Sequence, residues 1–433
     1  AKATYAKKGA EVVKANCDAI DQGGSGVVAV EVKPEWAKLM TDFKRQMIGD
    51  KYFDEHVSMI NSLQGDDLPV SDFRNWDILD GSIHNDISFK EKRNIATMVP
   101  QWNPALCVQC GTCSFVCPHA TIRTFLLTDE EVKNAPETFE TIPGKGNDAA
   151  AKLQYRVQVA PMDCVGCGLC ANECPTKALK MVPVADEIKH EPLADYLFKH
   201  TEYKEGIFPR NTIKGSQFLM PYFEVSGSCG GCGEAPYYRL ASQLFGRDML
   251  ISNATGCSMI YCSATPSTPF VTDKNGDGIA WANSLFEDNA EYGYGMAISR
   301  NYKNARILSI MEDNLDSDCH DAFQKYLDAN GDRDKQRACK DEVLKAVKDS
   351  KVEAVKELLD YDKDLVGKSV WIIGGDGWAY DIGYGGLDHV LANNLNVNVL
   401  VLDTEVYSNT GGQSSKSSQA ASIAEFAAGG KTT

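Results

Sequence analysis

The sequence predicts two fold types in succession: an α+β domain folded around paired cysteine runs, then an α/β domain with a parallel sheet. Two observations carry this. Cys107–Pro118 and Cys164–Pro175 repeat one spacing, C-x2-C-x2-C-x3-C-P. Beyond residue 206, short apolar runs alternate with longer helical patterns, as buried parallel strands joined by helices require. A length of 433 residues leaves room for two or three cores.

Composition narrows the class. A hydrophobic share of 43% and a charged share of 24% are ordinary for a water-soluble globular protein. No apolar run reaches the ~18 residues of a membrane-spanning helix. Ala1–Lys8 has no apolar stretch behind it, so no signal peptide is expected, and the sequence starts without Met. Forty-four basic against sixty acidic residues give a net charge of −16, which speaks against nucleic acid or an anionic membrane as partner. Fifteen cysteines are many, and their odd number disfavours a closed disulfide framework. A reducing, anaerobic compartment is expected: the cytoplasm, or a hydrogenosome-like organelle in an anaerobic eukaryote.

Residues 1–48 combine a helical pattern (Ala10, Val13, Ala19, Ile20) with a strand-like run, Val27–Val32, which Pro34 ends. They read as the tail of an α/β domain. Residues 49–85 are polar, with Gly65, Pro69 and Gly81 and little periodicity, and read as a linker domain. The cysteine-bearing domain takes 86–205. Its runs are further apart than a minimal domain needs, and Gly144 and Gly146 suggest an inserted loop or hairpin. The α/β domain takes 206–433. Within it Arg306–Met311, Ser369–Gly374 and Val397–Asp403 read as buried parallel strands. Asp341–Leu359 reads as a charged helix with Val343, Leu344, Val347, Val355, Leu358 and Leu359 inward. Ala427–Thr433 follows a helix-like run with no closing strand, so both ends look cut from a longer polypeptide.

Two acidic loops resemble calcium loops and fail the geometry. Asp273–Gly278 is followed at its twelfth position by Ser284, where a bidentate Glu is needed. Asp328–Asp332 has Arg333 in place of the required Gly. Both read as solvated turns.

Three cysteines spaced by two residues can wrap one [4Fe–4S] cube, but a fourth in the same tight loop cannot close it. In bacterial-ferredoxin-type runs that last cysteine ligates the other cluster. One cluster then takes Cys107, Cys110, Cys113 and Cys174; the other takes Cys164, Cys167, Cys170 and Cys117. Gly111, Gly166 and Gly168 let backbone amides approach the sulfurs, and Pro118 and Pro175 redirect the chain. Zinc and disulfides are the competing readings, which the duplicated runs disfavour. The chemistry is electron transfer.

Further on, Gly375-Asp376-Gly377 ends one buried strand and Asp403-Thr404 ends the next. Gly-Asp-Gly alone is an ordinary turn. In this strand context, with Tyr407–Gln413 following, it resembles the thiamine-pyrophosphate motif. There the Asp376 carboxylate, Thr404 Oγ1 and the Val406 carbonyl would hold Mg2+ against the diphosphate. Cys229, Cys232 and Cys257 stand near glycines; read alone, they are equally consistent with cluster ligands and with inert or disulfide cysteines.

Together with Trp102–Cys107, Cys229–Glu234, Asn253–Cys257, Ser284–Glu291 and Tyr407–Lys416, these motifs make the chain resemble pyruvate:ferredoxin (flavodoxin) oxidoreductase over essentially its whole length. The family enzyme is longer, so the chain looks like an internal-to-C-terminal fragment. The resemblance implies a thiamine-pyrophosphate-binding α/β domain with a parallel sheet, preceded by an α+β two-[4Fe–4S] bacterial-ferredoxin-like domain. It implies CoA-dependent oxidative decarboxylation of pyruvate to acetyl-CoA and CO2 with thiamine pyrophosphate and Mg2+. Electrons would leave through three [4Fe–4S] clusters to ferredoxin or flavodoxin.

The same resemblance assigns roles. Cys229, Cys232 and Cys257 match ligands of the third cluster, whose last ligand lies downstream, while Cys17, Cys262, Cys319 and Cys339 stay core or surface thiols. Glu234 and the Cys257 backbone match cofactor contacts. Gly375, Asp376, Gly377 and Trp378, with Thr404, Glu405, Val406, Tyr407, Ser408 and Asn409, match the diphosphate and magnesium loops. Asn409 matches a catalytic residue at the substrate side. The remaining domains of the enzyme and a homodimer partner are implied. The family's pyruvate-gripping groups lie upstream, so the chain alone is expected not to turn over pyruvate. The alternatives are a related oxidoreductase of another 2-oxoacid and a non-catalytic electron-transfer subunit; cofactor binding separates the latter from the enzymes.

Overall fold

The structure is a computed structural model that describes residues 1–42 and 45–432. The chain divides into two compact units, Ala1–Leu68 and Pro69–Thr433. In the first, the helical pattern forms α1 (Ala10–Ser25). The strand expected at Val27–Val32 is absent. That run carries no regular structure, and Val27, Val28, Val30 and Val32 are exposed. The reason is that a strand needs a ladder partner, and among the described residues of this unit none pairs with it. Residues 51–62 form short helical turns, including a π-turn at Phe53–Val57.

The first strand of the second unit, after a helical turn at Val70–Asn75, is β1 (Met98–Trp102), followed by the first cysteine run and its short helix α2 (Thr112–Phe115). Then come β2 (Ile122–Leu127), β3 (Ile142–Pro143) and β4 (Gln154–Val159). The second run carries α3 (Leu169–Asn172) and leads into β5 (Leu179–Pro183). β1 pairs antiparallel with β5, and β2 with β4, so each cysteine run is a loop between strands of two different sheets. The repeat is conformational as well as sequential. Gly111 and Gly168 stand at the same place before α2 and α3, both left-handed, with φ of 80° and 78°. Only glycine adopts that conformation without strain.

Helix α4 (Glu191–Lys199) lays Leu193, Ala194, Leu197 and Phe198 against Phe125 and Leu127 of β2. Beside this contact lies a buried ionic cluster. Arg123 and Lys199 both donate to Glu224, and Arg123 also donates to the Tyr203 hydroxyl at 2.7 Å. Burial alone would raise the Glu224 pKa, but Lys199 and Arg123 hold it down at about 2, against an ordinary 4.5. Breaking such a pair strands a buried charge, at a cost of about 3–5 kcal/mol. Glu224→Gln should therefore lower the urea midpoint at neutral pH. Because the folded pKa is depressed, the contribution is present above about 4.5 and is lost as pH falls toward 2. The wild-type advantage should be constant at neutral pH and narrow only below about 4.5.

The α/β part follows as α5 (Ala235–Phe245), β6 (Met249–Asn253), α6 (Cys257–Cys262) and β7 (Ala280–Asn283). Three helices come next, α7 (Asn289–Asp313), α8 (His320–Asp328) and α9 (Arg333–Asp349). The domain then runs through β8 (Ser369–Gly375), α10 (Tyr384–Ala392) and β9 (Val397–Leu402). The sheet is entirely parallel in the order β7-β6-β8-β9. Asn289 ties α7 to it, accepting from Ser252 Oγ at 2.6 Å and donating to the Ile373 carbonyl at 3.0 Å.

Three expectations change here. Arg306–Met311 is not a strand but the last part of α7, because Ile307, Ile310 and Met311 recur at helical spacing and are buried against α8 and α9. Asp341–Leu359 is divided: α9 ends at Asp349, Ser350 turns to an extended ψ of 147°, and 3-10 turns kinked at Tyr361 run over Glu353–Asp364. Residues 415–432 hold turns and isolated bridges rather than a helical run. The acidic loops are turns: Asp273 accepts from the amides of Asn275 and Asp277, and Asp332 caps α9. Among the described residues no helix is long and apolar enough to cross a membrane.

Candidate functional site

The two cysteine runs are brought together by the crossed strand pairing. Cys107, Cys110, Cys113 and Cys174 line one cavity, closed by Trp102, Tyr155 and Val157. Cys117, Cys164, Cys167 and Cys170 act on one another as a second set, and Cys113 of the first set also acts on Cys170. Burial pushes the Cys113 and Cys170 thiols well above the usual range and Cys164 up to about 12, and neighbouring sulfurs add to each shift. Four thiolates cannot stand side by side in such surroundings without cations between them. Backbone amides already face the sulfurs: Ala178 N–H donates to Cys174 at 3.2 Å, and Gly166 N–H donates to Cys164 at 3.4 Å.

No three His, Cys, Asp or Glu side chains among the described residues converge at single-ion spacing. All fifteen cysteines are free of disulfides.

The second site lies at the carboxyl ends of β8 and β9, where open parallel sheets bind ligands. Its cavity is lined by Glu234, Thr255–Ser258, Phe286, Gly375–Trp378 and Val406–Thr410. Asp376 is 1% exposed. Its Oδ1 accepts from the Thr404 amide at 3.1 Å and from Thr404 Oγ1 at 3.3 Å. Thr404 Oγ1 lies 3.1 Å from the Val406 carbonyl oxygen. Adjacent oxygens of an octahedral Mg2+ shell, at 2.0–2.1 Å from the ion, stand about 2.9 Å apart. Thr404 Oγ1 thus stands close to that separation from both the Asp376 carboxylate and the Val406 carbonyl oxygen. The backbone at Gly377 has no room for a side chain, since a Cβ there would sit 2.6 Å from the Tyr407 ring.

Cys257 joins the two sites. It lines the cofactor-sized cavity, its Sγ faces Ser408 Oγ at 3.6 Å, and burial raises its pKa with Glu234, Cys232 and Cys229 adding to the shift. Glu234 is held above the usual carboxylate range by burial and by Asp376, against a 3.4 Å hydrogen bond from the Tyr261 hydroxyl. The Cys229–Cys232 turn also touches the ferredoxin-type part: a Cβ on Gly230 or Gly231 would lie 3.8 Å from Cys167 Cβ.

Of the residues singled out from the sequence, Glu405 alone turns away. It is exposed, with φ of 61°, and pairs with Gln419. Asn409 lies on the cavity wall. Thr255, Gly256, Ser258, Phe286 and Thr410 line the cavity without having been singled out individually, although all but Ser258 stand within quoted motifs. Ser415 was also missed; its hydroxyl donates to the second oxygen of Asp376.

Residues 106–178 match the 4Fe-4S dicluster domain family, and residues 358–430 match the thiamine pyrophosphate enzyme, C-terminal TPP binding domain. The chain is 46% identical over 99% of its length to a pyruvate:ferredoxin oxidoreductase of Moorella thermoacetica, covering 38% of that protein. It is 43% identical to a pyruvate-flavodoxin oxidoreductase of Klebsiella pneumoniae, covering 99% of this chain and 37% of the relative. A mitochondrial pyruvate dehydrogenase [NADP(+)] of Euglena gracilis is 42% identical over 99% of this chain and 24% of the relative. The chain thus spans little more than a third of the first two relatives. Over that span it is similar to the pyruvate:ferredoxin and pyruvate-flavodoxin oxidoreductases.

Proposed function

We propose that this chain is the cofactor-and-cluster part of an enzyme that oxidatively decarboxylates pyruvate with coenzyme A and passes the electrons to ferredoxin or flavodoxin. The observation that carries this reading is Cys257, which stands in the wall of the cavity beside Asp376 and in electrostatic contact with Cys229 and Cys232. Thiamine pyrophosphate, when bound, supplies the electron sink for loss of CO2 from a 2-oxoacid. Asp376, Thr404 Oγ1 and the Val406 carbonyl hold Mg2+ and so orient the diphosphate. Glu234 and the Cys257 backbone contact the cofactor, and Asn409 faces the substrate side.

Cys229, Cys232 and Cys257 hold a third [4Fe–4S] cluster, with one ligand from elsewhere in the enzyme. Contact between Gly230 and Cys167 supports an order: the third cluster first, then the Cys117 set, then the Cys107 set at the acceptor end. The residue divisions 1–48, 49–85, 86–205 and 206–433 are the proposed domains, within a cytoplasmic homodimer. The test uses the complete enzyme with pyruvate, coenzyme A and a viologen acceptor. Acetyl-CoA formation and viologen reduction should both vanish in Asp376→Ala. Turnover surviving in that variant would refute the assignment.

A further inference from the structure

Arg239, on α5, is 1% exposed, yet among the described residues it has no carboxylate partner. Its guanidinium donates to three neutral oxygens: Gln243 Oε1 at 2.6 Å, Gln217 Oε1 at 3.1 Å and the Phe115 carbonyl at 2.6 Å. Its Nε is buried with no hydrogen-bond partner among the described residues. A buried charge without a counter-charge costs several kcal/mol, so an anion must lie within range. Arg123, the other buried arginine nearby, has Glu224. The carbonyl it grips belongs to Phe115, two residues before Cys117, and Cys117 acts electrostatically on Arg239. Burial lowers its pKa to about 10, which still leaves it charged at neutral pH.

We propose that Arg239 is the buried counter-cation of the [4Fe–4S] cluster held by Cys117, Cys164, Cys167 and Cys170, and that it raises the reduction potential of that cluster. This rests on the reading that Cys117 is a ligand of that cluster. One-electron reduction adds one negative charge to the cluster and its four thiolates. A fixed positive charge in a low-dielectric site stabilises the reduced form more than the oxidised one. The affected cluster is the one whose Cys167 touches the Cys229–Cys232 turn, so the residue would ease electron entry from that side.

The test is an EPR-monitored dithionite titration of the complete enzyme, with iron and acid-labile sulfide measured in each sample. Cys117→Ser identifies the signal belonging to this cluster. Arg239→Gln should keep the iron content and make that cluster about tenfold harder to reduce, about 59 mV lower for one electron. Arg239→Lys should recover most of the loss. Gln243→Glu leaves Arg239 in place but pairs its charge, and should lower the same potential. An unmoved potential in Arg239→Gln and Gln243→Glu overturns the proposal and leaves the cluster reading intact. So does a fall in Arg239→Lys as large as in Arg239→Gln. If Arg239→Gln loses the cluster, Arg239→Lys and Gln243→Glu decide by the same criteria. If Cys117→Ser leaves every signal unchanged, the cluster assignment fails and the proposal with it.

Discussion

Asp376→Ala is expected to weaken Mg2+-dependent binding of thiamine pyrophosphate by about 100-fold or more, since even residues behind metal ligands commonly contribute 10- to 100-fold. The carboxylate is buried at the ends of β8 and β9, and every partner it has is a donor to an anion: the Thr404 amide, Thr404 Oγ1 and Ser415 Oγ. Those bonds hold its oxygens toward Thr404 Oγ1 and the Val406 carbonyl. Alanine removes one of three protein oxygens and the only charged one, leaving Mg2+ with little beyond the diphosphate and water. Asp376→Asn keeps the shape and loses the charge, so it should fall between wild type and alanine. Calorimetric titration with and without Mg2+ measures both. The effect should be confined to the α/β site, with the iron content of the variant unchanged.

The second large effect concerns how the eight ferredoxin-type cysteines divide. Cys174→Ser should disturb the same EPR signal as Cys107→Ser, although the two residues lie in different runs. Cys117→Ser should disturb the other signal together with Cys164→Ser. The geometry behind this is the crossed pairing of β1 with β5 and β2 with β4, which carries the last cysteine of each run across to the other loop. Cys174 lines the cavity of Cys107, Cys110 and Cys113. Each variant should lose up to half of the iron held by the two runs. If Cys174→Ser instead groups with Cys164→Ser, each run closes its own cluster and the crossed assignment is wrong.

Local motifs were legible in the sequence because their chemistry is local. The two cysteine runs fix their own loops. Gly375-Asp376-Gly377 and Thr404 come together because each ends a parallel strand, and β8 and β9 are adjacent. What stayed hidden depends on the tertiary fold. Strand β6 carries Ser252 and Asn253, polar residues that suggest a loop. Both are completely buried: Ser252 donates to Asn289 and anchors α7 to the sheet, and Asn253 donates to Ser258 and anchors α6. The run Arg306–Met311 has strand-like residues, but the face it buries has helical spacing and meets α8 and α9, which only the assembled bundle shows. Ser415 reaches Asp376 across 39 residues of sequence, and no spacing rule announces such a contact. Val27–Val32 shows the opposite error: good strand residues form no strand when no neighbour offers a ladder.

Under the proposed function the α/β cavity and the cysteine sets form one electron path. The most direct measurement is freeze-quench EPR of the complete enzyme mixed with pyruvate and coenzyme A, with and without thiamine pyrophosphate and Mg2+. Reduced-cluster signals should appear only when both cofactors are present, while dithionite should reduce the clusters in either case. Clusters that dithionite reduces but pyruvate never does, or that pyruvate reduces without thiamine pyrophosphate, would contradict the account.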